Sequence, residues 1–136
     1  MTAASFTWPI RVYWEDTDAG GIVYYANYLK FMERARTEWL RAIGLEQRPL
    51  QQEQSLIFVI VDTQVVFKRP ARSGDALIVT ARLAEHSRAT LSFTQEVLRG
   101  DELLVSGAIR VACLDAVSHK PRGLPKELTD NLTGRT

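Results

Sequence analysis

Residues 27–44 are the one long stretch of this chain whose apolar side chains recur at helical spacing, and that single stripe limits what the rest can build. Tyr28, Phe31, Met32, Ala35, Trp39 and Ile43 fall on one side of a helix, while Lys30, Glu33, Arg34, Thr37, Glu38 and Arg41 occupy most of the remaining circumference. Asn27 reads as the N-cap and Gly44 as the C-terminal stop. An aromatic stripe this wide is a core face, so the helix is expected to be buried along one side.

The rest of the chain alternates. Residues 6–14 carry Val12, Tyr13 and Trp14 and read as a first strand, followed by a turn-rich stretch over 15–21. From Leu56 the apolar period becomes two, with Val61, Thr63, Val65 and Phe67 on one side and Asp62, Gln64 and Lys68 on the other. Residues 68–75 break this strand, and three more are expected over 76–85, 90–98 and 103–114. The links at 86–88 and 99–101 are short enough for antiparallel hairpins. The tail over 120–125 is irregular, with one last helical turn near Glu127. The order is therefore strand, long helix, four strands, which is an α+β pattern. One helix cannot cover both faces of a sheet of about five strands. Leu77, Val79 and Leu83 offer apolar groups to one face, Ile78 and Ala84 to the other, so a homo-oligomer is expected to cover the remainder.

A length of 136 residues fits one domain spanning 1–136. The formal charge of +1 argues against a chain whose task is to hold nucleic acid, because phosphate neutralisation needs a concentrated excess of cations. Cys113 is the single cysteine, which rules out an internal disulfide and a cysteine metal cluster; within Val111-Ala112-Cys113-Leu114 it reads as a small core filler. The first nine residues lack the basic start and apolar run of a secretory signal. No apolar run approaches the roughly 20 residues that span a bilayer. The expected compartment is the cytoplasm.

Chemistry concentrates in Glu15-Asp16-Thr17-Asp18-Ala19-Gly20-Gly21-Ile22-Val23-Tyr24-Tyr25-Ala26-Asn27-Tyr28. Carboxylates stand in a glycine-containing turn directly before the N-terminus of the buried helix. Free N–H groups and the positive end of the helix dipole face such a turn and can receive a negative oxygen. A carboxylate close to an oxyanion site is what acyl transfer requires. Three other readings compete. Asp16-x-Asp18 with Gly21 resembles the start of a calcium loop, but the twelfth position is Asn27 rather than a bidentate Glu. A phosphate loop would need G-x-x-x-x-G-K-[ST], which is absent. The bland reading is that Asp16 and Asp18 only shape a turn. His86 and His119 fall in or beside loops and read as surface residues, and no cluster has zinc-site spacing, so no metal is expected.

The run over residues 11–36 resembles the signature of the 4-hydroxybenzoyl-CoA thioesterase family, and within it most closely the Tol-Pal-associated acyl-CoA thioesterase group. The likeness continues through Pro70-Ala71-Arg72 with Gly74-Asp75, and through Lys120-Pro121-Arg122-Gly123-Leu124-Pro125. It implies a hotdog fold, in which a curved antiparallel sheet wraps one long helix. It also implies dimers joined edge to edge, commonly as a homotetramer, with active sites at the dimer interface. By position Asp18 matches the family's catalytic aspartate and the Tyr25 N–H matches the donor to the thioester oxygen, with Gly21, Ile22 and Val23 as substrate contacts. Asp16 is expected to order the turn by accepting backbone hydrogen bonds.

One position departs from the pattern. Many members of the Tol-Pal-associated group carry histidine where this chain has Tyr25, so a histidine-assisted step is excluded there while a backbone donor survives. The expected reaction is hydrolysis of short- or medium-chain, or aromatic, acyl-CoA, with no cofactor and with acyl carrier protein as a second possible acyl donor. CoA phosphates need cations, for which Arg72, Arg88, Lys120 and Arg122 stand in expected loops. The alternative is a non-catalytic hotdog module that binds acyl groups, acyl carrier protein or an envelope-associated partner. Retention of Asp18 beside the glycine pair favours the enzyme, and the lack of a paired Asp and His disfavours a hydratase.

Overall fold

The structure is a computed structural model and describes residues 6–133. Its elements run β1 (Phe6–Arg11), a 3₁₀ turn (Trp14–Asp16), α1 (Asn27–Ala42), α2 (Gln47–Gln54), β2 (Leu56–Phe67), β3 (Ala76–His86), β4 (Thr90–Arg99), β5 (Glu102–Asp115) and α3 (Lys126–Thr133). The five strands form one antiparallel sheet in the order β1-β3-β4-β5-β2. Register breaks at Ile60/Asp62, Leu83/Glu85 and Val97/Leu98 help to bend the strands, as bulges do. The result is the α+β hotdog arrangement, a curved sheet around one long helix. No helix among the described residues is long and apolar enough to cross a membrane.

Helix α1 sits on the sheet through Tyr28, Phe31, Met32, Ala35, Trp39 and Leu40, all buried. Trp39 meets Phe93 of β4 edge-on, with ring centroids 5.3 Å apart. Met32 lies over Gly107, where a Cβ would come within 3.0 Å of its Sδ. One polar clamp crosses this apolar interface. The buried Gln95 of β4 donates from Nε2 to the carbonyls of Met32 and Thr80, both at 3.0 Å, and its Oε1 accepts from Arg36 Nη1 at 2.9 Å. Burial draws the Arg36 guanidinium below its usual pKa. At the other end Gly44 takes a φ of +91°. Its N–H reaches Arg41 O and the N–H of Leu45 reaches Leu40 O, which closes the helix as a Schellman turn.

Several sequence expectations need correction. The first strand stops at Arg11 rather than at Trp14, because the Asp16 carboxylate accepts the Tyr13 N–H at 2.9 Å and winds residues 14–16 into the 3₁₀ turn. Asn27 is the first helical residue and not the cap; its amide is spent on Asp16. Helix α2 was not legible, since Leu50 is its single buried residue and gives no stripe to read. The final helix is eight residues long rather than one turn, anchored by the fully buried Leu128. Ile43 is only half-buried. The face away from α1 carries the expected Ile78, exposed, among mostly polar residues, Arg82, Thr94, Glu96, Ser106 and Arg110. More uncovered apolar surface lies along the edge strand β2, at Ile60, Val61, Val66 and Phe67.

The Gln95 clamp should be measurable. Changing Gln95→Leu leaves the Thr80 carbonyl and the Arg36 guanidinium without this partner, an expected loss of about 2–4 kcal/mol. Urea unfolding should show a lower midpoint at an unchanged slope. An unchanged midpoint would mean that packing alone seats the helix.

Candidate active site

The segment between the 3₁₀ turn and α1 has almost no regular structure, yet it is tied down along its length. Thr17 pairs with Val23, and the Asp18 N–H reaches Ile22 O at 2.9 Å. The tip turns at Gly21, whose φ of +81° is open to glycine at little cost. Ile22 pairs with Arg72, the Val23 N–H reaches Ala71 O, and the Tyr24 N–H reaches Asp16 O. The loop is thus a strap stretched between residue 16 and residues 71–72.

Its two carboxylates have separate fates. Asp16 is buried and accepts from the Tyr13 N–H and from Asn27 Nδ2, at 2.9 and 2.7 Å. It is committed to the loop. Asp18 is exposed, and one oxygen accepts the Gly20 N–H at 2.8 Å. A Cβ on residue 20 would stand 3.2 Å from that oxygen, so the glycine leaves the bond room. The other oxygen has no protein donor among the described residues, and is available.

Beyond the strap lies the start of α1. The Asn27 N–H turns back to Tyr24 O at 2.8 Å, and the Leu29 N–H to Ala26 O at 3.1 Å. The N–H groups of Tyr25 and Ala26 have no acceptor among the described residues, as expected of the first positions of a helix. They are donors at its positive end.

Beside them opens a cleft of about 240 Å³, lined by Ile22, Val23, Tyr25, Tyr28, Phe67, Lys68, Arg69 and Pro70. Tyr25 is 62% exposed, its ring 5.0 Å from that of Tyr24 and 6.1 Å edge-on to Phe67. Tyr28 is buried, and its hydroxyl accepts the Ala71 N–H at 3.0 Å. Burial pushes the Tyr28 phenol above its usual pKa, so it stays protonated. The wall beyond is held by Asp75. Burial works against its charge, but the Arg72 N–H and the Arg99 guanidinium outweigh that and hold its carboxyl below the usual range.

Of the expected site residues, Ile22, Val23 and Tyr25 line the cleft, Asp18 and Arg72 are each joined to Ile22 through the main chain, and Gly21 forms the tip of the strap. The structure does not bring the other three expected cations to them. Arg88 follows β3, and Lys120 and Arg122 follow β5, at the sheet end where Leu56 pairs with Asp115. The cleft is at the Phe67 end, roughly 35 Å away along β2. Arg122 is also committed, donating to the carbonyls of Gln54 and Ser55. His86 and His119 are exposed and outside the cleft, and Cys113 is fully buried, with its thiol pushed up by burial. Residues the sequence did not single out for the site are Tyr28, Phe67, Lys68 and Arg69. The signal was the run Lys68-Arg69-Pro70-Ala71-Arg72, which reads as a strand break until Ile22 is seen to pair with Arg72.

This chain is similar to known proteins in both sequence and fold. A model of the thioesterase-like superfamily matches residues 12–132. The acyl-CoA thioesterase YbgC of Haemophilus influenzae is 43% identical over 94% of both chains. The 1,4-dihydroxy-2-naphthoyl-CoA hydrolase of Nostoc punctiforme is 32% identical, over 91% of this chain and 84% of its own. Among solved structures, a probable thioesterase from Bartonella henselae superimposes with a TM-score of 0.86 at 34% identity, covering 90% of this chain and all of its own. With the family model covering nearly the full length and two relatives at this identity, the chain belongs to the thioesterase-like superfamily.

Proposed function

We propose that the chain hydrolyses acyl-CoA, with Asp18 as the reacting carboxylate and the Tyr25 N–H as the oxyanion donor. The reading is supported by a carboxylate oxygen on the strap that has no protein donor among the described residues, and by an N–H without an acceptor at residue 25, which lines the cleft. The thioester oxygen accepts from the Tyr25 N–H, and the negative charge that grows on it is met by the positive end of α1. Asp18 then attacks the carbonyl, giving a mixed anhydride that water opens, or takes a proton from a water that attacks instead. Either route expels CoA as the thiol and leaves the free acid. Gly20 holds Asp18 through one oxygen, so the other keeps a fixed direction. Gly21, Ile22 and Val23 border the acyl group. The relatives named for acyl-CoA hydrolysis support the same reaction; its proposed place is the cytoplasm, and acyl carrier protein, which carries the same thioester arm, is a second proposed donor.

The working form is a homo-oligomer. Strand β2 is a sheet edge bonded on one side only, and Ile60, Val61, Val66 and Phe67 on it are about half exposed. Such an edge invites another strand, and a second copy offers an identical one. Arg88, Lys120 and Arg122 are proposed to meet CoA phosphates from the far end of that second copy, because antiparallel pairing of the two β2 strands sets each far end beside the other's cleft.

Three outcomes test this reading. Asp18→Asn keeps the shape of the group but removes its charge, and kcat should fall by about 10² to 10⁴. Asp16→Asn should lower the melting temperature more than it lowers kcat; wild-type rates in both variants would refute the assignment. Tyr25→Phe and Tyr25→His leave the main chain untouched and should keep most of the turnover while changing the order of preferred acyl chains. Loss of turnover on every substrate in Tyr25→Phe would show that the hydroxyl reacts. Light scattering at micromolar concentration should give the mass of a dimer or tetramer, and a monomer mass would overturn pairing through β2.

A further inference from the structure

Lys68 and Arg69 follow the end of β2, and both backbone N–H groups go to the one carbonyl of Leu104, at 2.8 and 3.0 Å. Consecutive residues of a regular strand point to opposite faces. The shared acceptor breaks that alternation, and both side chains border the cleft beside Tyr25. Lys68 is exposed and makes no ion pair among the described residues. Arg69 has one partner, Glu102, at a long 3.3 Å, and the other oxygen of Glu102 is already held by Arg99 at 2.8 Å. No acidic side chain lines the cleft, whose other walls are Ile22, Val23, Tyr25, Tyr28, Phe67 and Pro70. It is an apolar slot with two cations in its lining.

The phosphates of CoA do not account for these cations. The pantetheine arm separates the thioester from the nearest phosphate by about the length of four extended residues, ~14 Å. Lys68 and Arg69 border the same small cleft as Tyr25, so with the carbonyl on the Tyr25 N–H they face the acyl group. The cleft, about 240 Å³, has room for a short acyl chain. We propose that Lys68 and Arg69 form an anion subsite at the end of the acyl cleft, so that the preferred substrates are CoA thioesters of short dicarboxylic acids. The apolar walls take the methylene stem and the cations take the distal carboxylate by charge-assisted hydrogen bonds. This rests on the thioesterase reading above.

Adipoyl-CoA and hexanoyl-CoA have the same carbon chain and differ in the terminal carboxylate. The wild type should favour adipoyl-CoA by about tenfold or more in kcat/KM, the effect of a hydrogen-bonded charge. Added salt should narrow the gap, because the subsite is exposed. Lys68→Gln with Arg69→Gln should bring the ratio close to one, with the urea midpoint reporting that the double variant is folded. Lys68→Gln alone breaks no ion pair and should lower the ratio part of the way. Arg82→Gln, on β3 and the face of the sheet away from α1, removes a charge but should keep the wild-type ratio. Equal rates on both thioesters, a preference for hexanoyl-CoA, or a ratio that survives the double variant would overturn the subsite and leave the hydrolase reading standing. Failure to hydrolyse any acyl-CoA would refute that reading, and the subsite with it.

Discussion

Met32 can lie as low as it does on the sheet because residue 107 has no Cβ. A Cβ there would stand 3.0 Å from the methionine sulfur, so the Met32 side chain would have to give. Gln95 then fixes the helix in the direction packing leaves free, since apolar contacts resist separation but allow sliding, whereas its bonds to Met32 O, Thr80 O and Arg36 have one register. The depth and register of α1 decide where its N-terminus emerges. That point is where the unpaired N–H groups of Tyr25 and Ala26 are found, so the site inherits its position from a glycine and a glutamine on β5 and β4.

The strap before α1 depends on a second polar centre. A buried carboxylate is costly without partners. Asp16 has one from the backbone of Tyr13 and one from the side chain of Asn27, which joins the end of the first strand to the first turn of the helix. With residue 16 fixed, the bridges to Val23, Ala71 and Arg72 leave the tip of the loop little freedom. The Asp18 carboxylate is held there by a single glycine N–H, and its outer oxygen has no protein donor among the described residues. Two aspartates separated by one threonine thus divide into a buried support and an exposed carboxylate.

Much of this was readable in the chain because the strongest signals are periodic. The six-position stripe of α1 and the alternation of β3, β4 and β5 each repeat often enough to fix an element within a residue or so. What could not be read has a common cause, which is that the deciding partner is distant in sequence. The first strand ends early because of Asp16, and Asn27 fails to cap because the same Asp16 claims its amide. Helix α2 shows one buried leucine in eight residues, too little for a period. At the site, the Asp18 strap was visible as a motif, but its second wall comes from residues 67–72. Nothing local announces that Ile22 will pair with Arg72, or that Arg88 and Arg122 will lie at the wrong end of the same sheet.

The oxyanion donor proposed for this chain is a main-chain group. Every L-amino acid except proline supplies the same N–H at position 25, so the genetic code offers almost no way to lose it by substitution there. The side chain at that position nonetheless forms part of the cleft wall, 62% exposed and in contact with Phe67. Residue 25 is therefore free to drift. A lineage can re-tune its acyl preference one codon at a time while its catalytic competence is inherited unchanged, which gives a fold this small room to diversify.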